Sequence, residues 1–168
     1  MKVWIGIDNG VSGSLAYLGD AIYFQPTPTK KEQSYTKKKQ FITRVDATAL
    51  SRVFTKWFSK WTETIYVPRI FIERPYVNPQ GFKATVSAMR ALEATLIVME
   101  RFRLSYEYLD SKQWQQAMLP KGLKGPAELK AASVDIGCRL FPRWEEQIRK
   151  HRDADSLLMA EWARRTGL

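Results

Sequence analysis

The sequence predicts an α/β fold: a mixed central sheet that begins with an antiparallel meander and is flanked by helices. Two observations carry this. Short apolar runs separated by glycine turns crowd the first 25 residues, and after residue 45 helical spacings alternate with compact strands. No internal repeat or linker interrupts residues 1–168, which predicts one domain.

Val3, Trp4, Ile5 and Ile7 form the first strand pattern, and Asp8 stands where it should end. Asn9-Gly10 and Ser12-Gly13 supply turn residues, and residues 14–18 resume as a second strand. Gly19-Asp20 turns the chain into a third strand over 21–25, ended by Pro26 and Pro28. Residues 29–39 carry five lysines and little apolar content, which predicts an exposed, mobile loop. Such a loop is either a solvated connector or an arm that contacts phosphate.

Leu50, Val53, Phe54, Trp57 and Phe58 give residues 46–61 a helical face, with Asp46 as its cap. Ile70, Phe71 and Ile72 make a compact strand that again closes on a carboxylate, Glu73, before Pro75, Asn78, Pro79 and Gly81. A long helix is expected over 83–101, and a short strand over 104–109. Ser111 is a plausible cap for a short helix over 112–118. Residues 120–126, PKGLKGP, read as a second basic loop. A helix over 127–140 should face inward through Leu129, Ala132, Leu140 and either Val134 or Ile136. The last helix should start near Glu146 or Lys150 and run to Arg165.

The formal charge of +10 and a pI near 9.8 favour an anionic partner, nucleic acid first. Nothing resembles a signal peptide, and no apolar run approaches a membrane span. The single cysteine, Cys138, excludes an internal disulfide and a cysteine-based zinc cluster; it fits a reducing compartment and packing on a helix.

Asp8 and Glu73 both close apolar strands, so their carboxylates converge if those strands are neighbours. The run KHRDADSLLMAEW adds His151, Asp153 and Asp155. On one continuous helix His151 and Asp155 share a face, and Asp153 points away unless the first turn is irregular. Carboxylates gathered this closely repel one another and hold protons more tightly. Divalent metal removes the penalty, and oxygen donors suit Mg²⁺ or Mn²⁺. Two such ions roughly 3.5–4 Å apart would serve phosphodiester hydrolysis. Each acid also has a plain structural reading. Asp8 would bond its own turn, Glu73 would pair with Arg74 or a lysine, and Asp153 and Asp155 would favour a helix N-terminus.

Three motifs resemble the RuvC-like Holliday-junction resolvases of the ribonuclease H-like superfamily. They are Ile5-Gly6-Ile7-Asp8-Asn9-Gly10 with Ser12-Gly13-Ser14, Ile70-Phe71-Ile72-Glu73-Arg74-Pro75, and Asp153-Ala154-Asp155-Ser156-Leu157-Leu158-Met159-Ala160. The resemblance implies a ribonuclease H-like fold and a homodimer that makes paired cuts in four-way DNA junctions with Mg²⁺ or Mn²⁺, two ions per site. Asp8 would bridge both ions, Glu73 would bind one or position water, and Asp155 would match the acid of the last helix. The fourth ligand departs from the pattern: Arg152 stands where many members carry an acid or histidine, leaving His151, which helix geometry favours, or Asp153.

The resemblance further implies an aromatic near the junction centre, Tyr76 or Phe82. It implies backbone contacts from Lys112, Lys121, Lys124 and Lys130, and pairing through the helix over 83–101. Lys37, Lys38, Lys39, Arg74 and Lys83 are further candidate nucleic-acid contacts. The setting implied is the cytoplasm of a bacterial or phage-infected cell, or another reducing, DNA-containing compartment.

Other readings remain open. The same fold could cut other branched DNA or an RNA–DNA hybrid. The chain could bind junctions without cutting, as Arg152 suggests, or be a basic interaction domain in which the acids only cap and pair. A two-lobed actin-like ATP-binding protein would need a longer chain and a second phosphate loop.

Overall fold

The alternation Val3-Trp4-Ile5-Gly6-Ile7 sends Val3, Ile5 and Ile7 into one core and leaves Trp4 and Gly6 on the opposite face. That division organises the computed structural model, which describes residues 2–34, 38–59 and 67–168. Strands β1 (Lys2–Ile7), β2 (Ser14–Leu18) and β3 (Ile22–Pro26) form the expected antiparallel meander. β6 (Val67–Glu73) lies parallel to β1 on its other side, followed by parallel β7 (Glu107–Leu109). The sheet order is therefore β3-β2-β1-β6-β7, mixed in direction.

One core packs α1 (Ala47–Phe58) and α2 (Phe82–Arg101) against Val3, Ile5, Ile7, Leu15 and Tyr17. Asp46 caps α1 as expected, accepting from the Thr48 and Ala49 N–H groups at 3.0 Å each. The second core joins Ala16, Leu18, Phe24 and Phe71 to α3 (Ser111–Met118), α4 (Gly125–Leu140) and α6 (Asp155–Thr166). Cys138 is buried there. Gly6 lets α6 approach β1, since a Cβ at Gly6 would stand 2.1 Å from the Ser156 carbonyl oxygen.

Four local expectations need correction. Residues 29–39 are not a loop throughout: β4 (Thr29–Gln33) pairs with β5 (Phe41–Val45) as a separate two-stranded ribbon. The segment stays largely exposed, so its strand carries no apolar alternation to betray it. Second, α3 is capped by Asp110 rather than Ser111, in a reciprocal box with Gln113. Third, Leu140 on α4 is exposed; Leu129, Ala132, Val134 and Ile136 do pack against the second core, partly buried, but the fully buried residues of the helix are Ser133, Gly137 and Cys138. Small residues are needed there, because a Cβ on Gly137 would lie 2.3 Å from that of Ala154.

Fourth, the last helix is broken. A 3-10 turn (Pro142–Trp144) leads into α5 (Glu145–His151), and α6 begins only at Asp155. Arg152 ends α5 in the left-handed region, φ 61° and ψ 32°. Trp61, the expected end of the first helix, and Lys37 lie outside the described residues. No helix among the described residues is long and apolar enough to cross a membrane.

Candidate metal centre

Parallel pairing of β1 with β6 matches Ile7 to Ile72, so Asp8 and Glu73 leave the sheet side by side. The kink at Arg152 carries Asp153 and Asp155 over the same end of β1. Asp8, Asp153 and Asp155 each present a carboxylate oxygen within 4.8 Å of the others. His151 and Asp155 therefore do not share a helix face. Asp153, just outside α6, is the residue that turns into the cluster. His151 stands one step behind, with Nε2 3.8 Å from Asp153 Oδ2 and its ring against Phe24.

Neighbours fix each carboxylate. Ser14 Oγ donates to Asp153 Oδ2 at 3.4 Å and lies 2.7 Å from Ser156 Oγ. The Asp155 N–H, the first of α6, donates to Asp153 Oδ1 at 2.9 Å. Ser133 Oγ donates to Asp155 Oδ1 at 2.5 Å. Trp114 Nε1 donates to Glu73 Oε1 at 3.3 Å. Arg74, a candidate partner of Glu73, instead pairs with Asp110 at 2.8 Å and lies over the Tyr108 ring.

The electrostatics are those of crowded, buried acids. Burial, then the charges of Asp153 and Glu73, pushes the Asp8 carboxyl well above its ordinary range. Burial also raises Glu73, despite its bonds with Asp8 and Trp114. Asp155 is pushed up to about 6 by burial and then by the Asp153 charge. Burial alone would raise Asp153 too, but its bonds with Asp8, Lys130 and the Asp155 N–H win and lower it.

Lys130, expected as a phosphate contact, extends from α4 into the cluster. Its Nζ lies 2.5 Å from Asp155 Oδ2, 2.9 Å from Asp153 Oδ1 and 3.8 Å from Asp8 Oδ2. Lys130 and Ser133 are three residues apart on one helix, which brings both to Asp155. That spacing was legible in the sequence, but nothing in it showed which side of α4 meets the acids. Ser14, Ser133, Ser156 and Trp114 are supporting residues that the sequence reading missed.

The donor set fits a divalent cation. It is all oxygen and largely buried, and two of its acids, Asp8 and Asp155, remain hard to ionise although one ammonium already sits among them.

No protein-family model matches the chain, and no curated protein sequence matches it. Among solved structures, it is similar to T. thermophilus RuvC in complex with Holliday junction substrate. That likeness has a TM-score of 0.59 and 13% identity, and covers 99% of this chain and 97% of the other. A second structure, of Thermus thermophilus RuvC, gives a TM-score of 0.48 at 13% identity, covering 98% and 96%. The fold is like that of RuvC, with a ribonuclease H-like topology. At such low identity the likeness establishes architecture, and the chemistry has to be argued from the acids themselves.

The remaining candidate contacts are spread around this centre. Tyr76 and Phe82 are exposed in and just after the segment that follows Glu73. Asn78 holds that segment, its N–H donating to Thr85 Oγ1 at 3.1 Å and its Oδ1 accepting from the Gln80 N–H at 3.0 Å. Lys83 is exposed on the first turn of α2. Lys112 and Lys121 line one groove of about 480 Å³. Lys124 is exposed just before α4, and Lys38 and Lys39 are exposed at the turn end of the β4–β5 ribbon. The structure brings none of these into the carboxylate cluster; of the expected nucleic-acid contacts among the described residues, only Lys130 enters it.

Proposed function

We propose that the protein is a metal-dependent, structure-selective DNA endonuclease acting on four-way junctions, with Asp8, Asp153 and Asp155 as metal ligands and Glu73 beside them. The convergence of three buried carboxylates at the end of the central strand carries this reading. When bound there, Mg²⁺ or Mn²⁺ supplies Lewis-acid chemistry, activating water and offsetting charge on a phosphodiester.

The chain's own residues do the rest. Ser14 and Ser133 hold Asp153 and Asp155 in position. Trp114 orients Glu73 at the rim, where a proton acceptor or a further ligand is wanted. Asp153 takes the fourth place left open by Arg152, and His151 backs it. Arg152 itself is exposed and lines an outer groove.

A junction needs broad contact with phosphate, and the net charge of +10 supports it. Lys112, Lys121 and Lys124 would follow one arm, and Lys38 and Lys39 on the ribbon would meet another. Tyr76 or Phe82 would stack where bases open. Two copies would pair through α2, where Phe82, Met89 and Ile97 remain exposed.

The deciding experiment incubates the protein with an immobile four-way junction and with linear duplex of the same arm sequence, in Mg²⁺ or EDTA, alongside Asp8→Asn. Paired nicks confined to the junction, lost in EDTA and in the variant, are expected. Equal cutting of both DNAs would remove the junction assignment, and full cutting by Asp8→Asn would remove the chemistry.

A further inference from the structure

Lys130 occupies the place a metal would want. Its ammonium contacts Asp155 and Asp153 directly and reaches Asp8 at 3.8 Å, so one cation already spans the three-carboxylate cluster. It also takes ligand capacity, because Asp155 Oδ2 and Asp153 Oδ1 both accept from it. An ammonium and a divalent ion at these oxygens would repel each other strongly in a partly buried site.

Lys130 is nevertheless not locked in place. Its side chain is 48% exposed. Its stem lines an open groove of about 410 Å³ with Ala131, Val134, Asp135, Arg149 and Arg152. A flexible four-carbon stem beside open space can withdraw without disturbing α4.

We infer that Lys130 is a displaceable internal cation, which balances the carboxylates in the metal-free protein and must leave them when divalent metal binds. It lowers the affinity of the empty site and keeps the acids compatible with folding. Once displaced, the ammonium stands at the mouth of the centre, where a DNA phosphate would receive it. Metal loading and phosphate binding then favour each other. The inference rests on the reading of the cluster as a metal seat.

The test measures metal binding without DNA. Calorimetric titration with Mn²⁺ should show Lys130→Met binding on the order of ten-fold more tightly than wild type. Lys150→Met, which removes an exposed charge from α5, should bind like wild type. In EDTA, Lys130→Met should melt below wild type, and Mn²⁺ should more than restore it. If that variant does not fold without metal, lysine-selective NMR of the wild type decides. The Lys130 ammonium signal should move to the position of solvated lysines as Mg²⁺ saturates the site.

Unchanged or weaker Mn²⁺ binding by Lys130→Met overturns the inference, as does an ammonium signal that Mg²⁺ leaves in place. Asp8→Asn separates the two levels. Wild-type Mn²⁺ affinity in Asp8→Asn would overturn the metal seat itself. Loss of binding there, with Lys130→Met unchanged, would overturn only the role of Lys130.

Discussion

In the carboxylate centre, secondary structure dictates the surroundings of each acid. Asp8 and Glu73 are fixed by strand register, Asp155 by the start of α6, and Asp153 by the kink before it. The β4–β5 ribbon is also charged, but it is built differently. Glu32 pairs with Lys30 and Arg44 at 2.8 Å each, all three at the surface, and Lys38 and Lys39 project from its turn end. Exposed pairs of this kind contribute little to stability. Buried groups that lose a partner cost far more. The centre therefore depends on each buried partner, whereas the ribbon depends on net charge and reach. Single substitutions should act sharply in one region and weakly in the other.

The largest effect should come from removing a proposed ligand. Asp155→Asn should lower metal-dependent cleavage by more than the about 10–100-fold that loss of a supporting residue causes. Single-turnover rates in Mg²⁺ check this, and a loss of only a few-fold would place Asp155 outside the centre.

Next comes the backbone approach that seats α6. Gly6→Ala adds a methyl group against the Ser156 carbonyl and should cost about 3 kcal/mol or more. Denaturant unfolding measures it, and a change below about 1 kcal/mol would mean that α6 can shift cheaply.

The pH response follows from Asp155, whose pKa is raised from 3.8 to about 6. Without metal, the penalty for its charged form is complete above pH 6 and fades as pH falls towards 3.8. Wild type should therefore gain stability relative to Asp155→Asn over that window. Saturating Mg²⁺ selects the ionised form and should reverse the slope. Melting curves from pH 4 to 8, with and without metal, test both signs.

Ser133→Ala should be milder, weakening Mn²⁺ binding about ten-fold by freeing Asp155 Oδ1. The smallest effect belongs to the ribbon. Lys38→Ala with Lys39→Ala should weaken binding a few-fold, equally for junction and duplex, and reduce the salt slope by up to about 2. A selective loss on junctions would show that the ribbon reads shape, and the contrast between the regions would narrow.

Much of the centre was legible because strand-end carboxylates announce themselves. An apolar run, an acid and a glycine turn mark Asp8, and an apolar run, an acid and a proline mark Glu73. Helical periodicity likewise located α1 and α2. The ribbon was not legible, since Thr29–Gln33 is a strand without apolar alternation, held by its partner β5. The break at Arg152 was hidden as well. Arginine has no preference for the left-handed region, and only packing around the kink imposes it.

The sequence alone determined the mixed sheet, its opening meander and two acids that each close an apolar strand, because periodicity and turn chemistry are local; that those strands are neighbours came from the sheet pairing. Tertiary structure decided the rest. It put Asp153 rather than His151 into the carboxylate cluster, brought Lys130 and Ser133 to Asp155, and set Trp114 behind Glu73. These contacts join residues far apart in the chain, and they depend on how closely α4 and α6 pack, which no local pattern encodes.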